Sequence, residues 1–199
     1  TQRCNLDCSL CYLSESSALV TDMPIEELYR RLDEIINFYG PGTNVQISGG
    51  DPTLRDKEEL LAIVSYARKI GLHPALFTNG KKCSRELLEE LSEAGLSDVA
   101  FHVDLTQNLK GYETEADLNK LRSELIERAR GLPLLVIFNT TVHESNFKEI
   151  PAVVEFFIKN SDVVGMASFQ LQADIGRGVL HQRPELISLE TVQKKVSQG

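Results

Sequence analysis

The sequence lacks long apolar runs, clusters of positive charge, and any segment that resembles a signal peptide. Its longest apolar stretches, such as residues 132–138, have the length of a buried strand and not of a membrane span. The 199 residues contain 21 Lys and Arg against 29 Asp and Glu, a net charge of −8. This balance, with no Lys/Arg run, disfavours duplex nucleic acid as the main partner. The 42% apolar content is enough for one domain with a real core.

Cysteine is also scarce, but its distribution is informative. Only four are present, and Cys4, Cys8 and Cys11 lie within the first eleven residues, far from Cys83. In a chain of this length without a secretory signal, such clustering favours a metal site over a disulfide framework and predicts a reducing, cytoplasmic compartment. Three ligands leave one metal position open. An iron–sulfur cluster with one open iron is the favoured interpretation, ahead of a zinc site completed by His or Asp. A third interpretation is that the three cysteines are buried thiols on one face of a helix.

Apolar runs of strand length alternate with amphipathic helical patterns along the chain. Helices are expected over residues 24–39, 56–70, 84–94 and 114–130, then from Asn146, with Glu149 as its capping-box partner, and from Ser188. Strands are expected over residues 44–48, 73–78, 98–104, 134–142 and 162–171. This alternation predicts an α/β fold with a parallel sheet, either open and doubly wound or a barrel.

Polar and glycine-containing tripeptides follow three of these strands. They are Gly49-Gly50-Asp51, Thr78-Asn79-Gly80 and His102-Val103-Asp104. Ligands bind at the carboxyl ends of parallel strands in both candidate architectures. The two glycines would let the backbone approach a ligand, and Asp51 could accept a hydrogen bond from an ammonium group, although an ordinary turn gives the same pattern.

The Cys-x3-Cys-x2-Cys spacing of Cys4, Cys8 and Cys11, followed by the Gly49–Pro52 turn, resembles the radical S-adenosylmethionine (radical SAM) superfamily. The resemblance implies a partial (β/α)6 TIM-like barrel. Because Thr1 lies only three residues before Cys4, the first strand is expected to be missing and the chain to be a fragment. The expected domains are a core over residues 1–185 and the start of a truncated segment over residues 186–199.

The same resemblance implies the chemistry. Three cysteines would hold three irons of a [4Fe–4S] cluster, and the fourth iron would chelate the amino and carboxylate groups of SAM. A reductant such as ferredoxin or flavodoxin would supply the electron that cleaves SAM to methionine and a 5′-deoxyadenosyl radical. That radical would abstract hydrogen from a small-molecule, lipid or peptide substrate. The alternative is a non-catalytic electron-transfer or metal-binding module.

The resemblance also assigns roles to residues. Cys4, Cys8 and Cys11 are the metal ligands, and the expected cofactor-binding residues are Leu10, Tyr12, Gly49, Gly50, Asp51, Thr78, Asn79, His102, Asp104, Asn139 and Gln170. Leu10 would pack near adenine, the Gly49–Asp51 turn would meet the SAM amino group, and Thr78 and Asn79 would face the methionine moiety. His102 and Asp104 would face the ribose, with Asn139 and Gln170 near ribose or adenine. Asp51 stands where the superfamily usually has Glu.

Two further predictions concern the substrate. Residues 169–177 weakly resemble enzymes of the tetraether-lipid-synthase type, and a peptide-modifying maturase is the alternative. Arg177 is a candidate to bind a substrate carboxylate or phosphate. The alternative is that Arg177 is a solvated loop residue.

Cys83 is expected to be a semi-buried free thiol, although two neighbouring lysines leave a reactive role open.

Overall fold

The computed structural model describes residues 1–14, 16–180 and 187–199. Five strands alternate with helices. The strands are β1 Asn44–Ile47, β2 His73–Thr78, β3 Asp98–His102, β4 Leu135–Val142 and β5 Val164–Leu171. The helices are α1 Ile25–Tyr39, α2 Lys57–Lys69, α3 Arg85–Glu93, α4 Asn119–Ala129, α5 Ile150–Lys159 and α6 Leu189–Val196.

The strands form one parallel sheet in the sequential order β1-β2-β3-β4-β5. A doubly wound sheet reverses its strand order partway, whereas a barrel adds each strand beside the last. The α/β partial-barrel prediction is therefore confirmed, and the open doubly wound alternative is wrong.

The core lies between the central strands and the helices packed on them. Phe101 on β3 contacts Phe138 on β4 with ring centroids 5.6 Å apart, and Phe138 stacks on Phe157 of α5 at 5.1 Å. All three rings are buried within one apolar cluster. This packing fixes the strands to one another and holds their carboxyl ends at a common edge.

Helix α4 begins later than the sequence predicts. Its first expected turn is closed locally, because the backbone N–H of Thr114 donates to the Asp117 carboxylate at 2.9 Å and Asp117 N–H donates to the Thr114 hydroxyl at 3.1 Å. The regular helix follows from Asn119.

The capping box predicted for Asn146 and Glu149 is wrong. The Asn146 side chain makes no cap hydrogen bond. Its Oδ1 accepts from the backbone N–H of His143 at 2.9 Å, and its Nδ2 donates to the carboxylate of Glu115 at 2.7 Å and to the Thr141 carbonyl at 2.8 Å. Asn146 thus joins the loops that follow β3 and β4.

The end of the chain agrees with the sequence where it is described. Ser188 and Thr191 form a capping box that starts α6. The predicted domain boundary between residues 185 and 186 lies outside the described residues. Within the described parts of the chain, no helix is both long enough and apolar enough to cross a membrane.

Residues 1–3 pack across the glycine turn that follows β1. Gly50 N–H donates to the Thr1 carbonyl at 2.9 Å, and Asp51 N–H donates to the Arg3 carbonyl at 2.8 Å. A Cβ atom on Gly50 would lie 2.0 Å from the Arg3 carbonyl oxygen, and one on Gly49 would lie 2.0 Å from that of Thr1. The backbone that approaches these glycines is therefore the chain's own, leading directly into Cys4.

We expect Gly50→Ala to detach residues 1–3, because backbone atoms at this distance cannot accommodate a methyl group. The stability loss should be about 1–3 kcal/mol, typical of overpacking. Urea denaturation measures that loss, and faster amide exchange at Gly50 and Asp51 reports the detachment. Gly40→Ala is the control for amide exchange only: alanine is strained at its φ of +87°, but nothing lies within 4 Å of the added Cβ, so local exchange at Gly50 and Asp51 should stay as in the wild type. Unchanged amide exchange in Gly50→Ala would contradict the packing described.

Candidate functional site

The carboxyl ends of the strands and the cysteine segment enclose a cavity of about 460 Å³. Most of the predicted site residues line it, namely Cys4, Cys8, Leu10, Cys11, Tyr12, Gly49, Gly50, Thr78, Asn79, His102, Asn139 and Gln170. Asp51 and Asp104 do not line it; both are completely buried. The cavity is thus the single place where the sequence predictions converge.

Residues 4–11, which carry the three cysteines, form no helix. The interpretation of three buried thiols on one helical face is therefore wrong. Contacts with other loops hold the segment: Ser9 N–H donates to the Thr106 carbonyl at 2.8 Å, and the Tyr12 hydroxyl donates to the Gly49 carbonyl at 2.5 Å. The positions of the sulfur atoms are consequently set by the strand ends.

Arg177, in the loop after β5, holds the same segment from the other side. Its backbone N–H donates to the Cys11 carbonyl at 2.8 Å. Its guanidinium pairs with Asp7 and donates to the Cys8 carbonyl at 3.2 Å. The structure therefore uses Arg177 to fix the cysteine segment, which differs from both expectations for it.

Cys83 is separate from this site. It is fully buried in the main apolar cluster and does not line the cavity. Burial raises the pKa of its thiol to about 12, which opposes the thiolate form that a reactive cysteine needs. Three thiols are left to face the cavity.

The three cavity thiols are free in this structure. Burial, and to a smaller extent the neighbouring Cys11 and Cys4 thiols, raise the pKa of Cys8 to about 12. Burial also raises the pKa of Cys4. The Cys4 and Cys8 thiols are therefore protonated at neutral pH, and a bound metal group must displace their protons.

The donor set fits an iron–sulfur cluster with three cysteine ligands. In the described residues, no three His, Cys, Asp or Glu side chains lie close enough together to hold a single ion. A cubane cluster does not require such closeness, because each cysteine binds a different iron. The cavity wall also offers two buried oxygen atoms without a protein partner, Oε1 of Gln107 and Oδ1 of Asn139. Such atoms suit a ligand with hydroxyl or amine donors.

Asp51 is saturated by the protein itself. Its Oδ1 accepts from the backbone N–H and hydroxyl of Thr53, at 3.0 and 2.5 Å. Its Oδ2 accepts from the Thr78 hydroxyl at 2.9 Å and from Asn79 N–H at 2.8 Å. The predicted contact with a ligand ammonium is therefore not what the structure shows. The carboxylate joins the end of β1 to the end of β2.

We expect Asp51→Asn to destabilise the fold by about 1–3 kcal/mol, because its amide would place a donor against donors in a buried site. Urea denaturation measures the change. Asp56→Asn is the matched control, since Asp56 caps α2 and Asn caps helices equally well. Wild-type stability combined with weakened SAM binding would instead restore the ligand-contact role.

Asp104 has the same place after β3 that Asp51 has after β1. Its Oδ1 accepts from the backbone N–H and hydroxyl of Thr106, at 2.9 and 2.5 Å. Its Oδ2 accepts from Thr141 N–H at 2.6 Å and lies 2.9 Å from Nε2 of His102. Asp104 therefore joins β3 to β4 and orients His102, instead of facing the ribose as predicted.

His102 faces the cavity and begins a chain of polar groups. Its Nδ1 lies 2.8 Å from Nδ2 of Asn139, which also donates to Oε1 of Gln170 at 3.3 Å. Burial lowers the pKa of His102, but the Asp104 carboxylate raises it more, so the net pKa lies above the ordinary value. Burial raises the pKa of Asp104, but the His102 charge and the hydrogen bonds from His102, Thr106 and Thr141 together outweigh it, so that pKa lies below its ordinary range.

We expect Asp104→Asn to lower the pKa of His102 to below its ordinary value, because burial would then be opposed only by the weaker effect of the Glu115 carboxylate. The titration of the imidazole resonances by NMR measures this, with His102→Gln to assign them. An unchanged midpoint would show that Asp104 does not control this imidazole.

Several cavity residues were not foreseen from the sequence. These are Gln46, Ser48, Phe77, Thr106, Gln107, Thr141, Leu171, Ala173 and Ile175. The signal for some of them was present: Asp51-Pro52-Thr53 and Asp104-Leu105-Thr106 each place Thr two residues after Asp, the pattern of a local Asx turn. Recognising that turn would have predicted that both aspartates accept hydrogen bonds from their own loops.

Comparison with known proteins now identifies the class. A family profile described as the radical SAM superfamily matches residues 1–157. The chain belongs to the radical SAM superfamily.

Two curated relatives and one solved structure indicate the breadth of the similarity. The chain is 30% identical over 183 residues to 7,8-dihydro-6-hydroxymethylpterin dimethyltransferase of Methanocaldococcus jannaschii, covering 89% of this chain and 36% of that protein. It is 28% identical over 180 residues to PqqA peptide cyclase of Bradyrhizobium diazoefficiens, covering 85% and 45%. Streptococcus suis SuiB bound to its precursor peptide SuiA shares the fold, with a TM-score of 0.76, 18% identity and coverage of 99% and 44%. The chain thus spans less than half the length of the curated relatives named here.

Proposed function

We propose that this domain binds a [4Fe–4S] cluster through Cys4, Cys8 and Cys11 and binds SAM beside it in the cavity. When bound, these two groups supply reductive cleavage of SAM to methionine and a 5′-deoxyadenosyl radical, which abstracts hydrogen from a substrate. The observation that carries the proposal is that three free thiols, and not the fourth cysteine, face the cavity at the carboxyl edge of the sheet. The electron comes from an external reductant of the ferredoxin or flavodoxin kind.

The chain's own residues bind and orient the ligands and exclude water from the cavity. Leu10, Phe77, Leu171 and Ile175 give the cavity an apolar wall, which keeps water away from reactive intermediates. The unpartnered oxygens of Gln107 and Asn139 serve as acceptors for ligand hydroxyl or amine groups.

His102 has a second part in the same cavity. It is a donor or acceptor whose charge is controlled by Asp104. A proton on His102 Nδ1 would require the Asn139 amide to rotate so that Oδ1 faces it, so this oxygen is available to a ligand only while His102 Nδ1 is unprotonated.

The relatives support the shared radical step and leave the substrate open. Their names refer to a pterin and to a peptide, and a third relative, from Methanosarcina barkeri, is named Fe-coproporphyrin III synthase. A SAM-bound structure of SuiB shares this fold, and SuiB is also known bound to a peptide. A peptide substrate is therefore one candidate for the whole protein, and the tetraether-lipid-synthase resemblance stays a prediction.

The test is anaerobic reconstitution with iron and sulfide, followed by addition of SAM and dithionite. We expect broad absorption at about 400 nm, which is typical of thiolate-bound iron–sulfur clusters. We also expect release of 5′-deoxyadenosine, measured by mass spectrometry. Cys8→Ala should lose both signals. Cys83→Ala is the matched control and should keep both, because Cys83 lies in the apolar core.

The outcomes separate the alternatives. A cluster that forms without 5′-deoxyadenosine release would favour the electron-transfer module. Binding of zinc alone would defeat both iron interpretations. Loss of the cluster in Cys83→Ala would show that the ligand set is not the one proposed.

A further inference from the structure

Asn79 follows β2 and reaches the first cysteine across a gap of 75 residues in sequence. Its Nδ2 lies 3.8 Å from the Sγ of Cys4 and 2.7 Å from Oδ1 of Asn5. The side chain is buried, with 9% of its surface exposed. The sequence predicted that Asn79 faces the methionine moiety of SAM, but its amide nitrogen is directed at the cysteine segment.

The orientation of this amide is determined by its other partner. Oδ1 of Asn79 accepts from the backbone N–H of Lys81 at 3.0 Å. Only the oxygen of the amide can accept that hydrogen bond, so the nitrogen must face Cys4 and Asn5. Both of its hydrogens are then accounted for, one toward each residue.

The backbone of Asn79 is fixed as well. Its N–H donates to the buried Asp51 carboxylate at 2.8 Å, and the preceding Thr78 hydroxyl donates to the same group. With its backbone N–H held by Asp51 and its Oδ1 held by Lys81 N–H, the Asn79 amide has its direction fixed before any cofactor binds.

We propose that Asn79 is a positioning residue that donates a hydrogen bond to the Cys4 sulfur and thereby raises the reduction potential of the bound cluster. Donors to ligand sulfurs stabilise the reduced, more negative state, because they offset the added negative charge. This inference rests on the proposed function, since it requires Cys4 to be a cluster ligand. The inference adds that a residue at the end of β2 controls how easily the bound cluster is reduced.

The test measures the midpoint potential of the reconstituted cluster by EPR-monitored redox titration without SAM. Two variants separate hydrogen bonding from charge. Asn79→Leu removes the donor without adding charge, and Asn79→Asp removes the donor, keeps an acceptor for Lys81 N–H and adds a negative charge. Asn37→Asp, on the exposed surface of α1, is the control for added charge remote from the site.

We expect Asn79→Leu to lower the ratio of reduced to oxidised cluster at a fixed potential by on the order of tenfold, equivalent to about 59 mV for one electron. Asn79→Asp should lower it further, and Asn37→Asp should leave it unchanged. Iron content and circular dichroism, measured on each variant, show that the compared proteins are folded and loaded.

A fall in Asn79→Asp with no change in Asn79→Leu would overturn the inference, because charge alone would then explain the effect. If both variants fold but do not retain a cluster, Asn79→Ala, which removes the donor with the smallest change of side chain, is measured in their place, and a wild-type potential in it would also overturn the inference. Failure of the wild type to form a cluster would instead defeat the proposed function.

Discussion

The site depends on how the cysteine segment is attached to the ends of the strands. Residues 4–11 have no regular secondary structure, yet they carry every thiol that faces the cavity. Backbone hydrogen bonds from Ser9 to Thr106 and from Arg177 to Cys11 fix the segment at two points. Residues 1–3, which lead into it, lie against the glycine turn after β1. Sulfur geometry is thus determined by the sheet, whose packed aromatic core keeps the strand ends in place.

Two buried aspartates give that edge of the sheet its rigidity. Asp51 joins β1 to β2 by accepting from Thr78 and Asn79, and Asp104 joins β3 to β4 by accepting from Thr141. Each aspartate also accepts from the backbone N–H and hydroxyl of a threonine two residues later. A buried carboxylate is costly unless its oxygens are fully hydrogen-bonded, and both meet this condition with protein groups alone. They therefore hold neighbouring groups, Asn79 and His102, which do face the cavity.

Much of this could be predicted from the sequence, and the failures have a physical cause. Periodicity located the strands, and the cysteine spacing with the glycine turn identified the family and gave the proposed ligands. Asp51 and Asp104 were placed in the cavity because a short acid after a strand suits a ligand and a turn equally well. The capping role predicted for Asn146 fails for a similar reason, since its partners are the end of the preceding strand at Thr141 and Glu115, which is 31 residues away in sequence.

Long-range contacts set the remaining limit on prediction. The Asn79 amide meets Cys4, and Arg177 meets Cys8, only because the strand ends converge. No local pattern in the sequence marks either contact. Both act on the cysteine segment, so the parts least visible in the sequence are those that hold the proposed ligands.

The central claim is that three sulfur ligands leave one iron accessible to SAM. Its most direct test is pulsed EPR of the reduced, reconstituted protein with SAM labelled with ¹⁵N in the amino group and ¹⁷O in the carboxylate. The account predicts hyperfine coupling of both labels to the cluster. A fully formed cluster without either coupling, or one with four cysteine ligands, would contradict it.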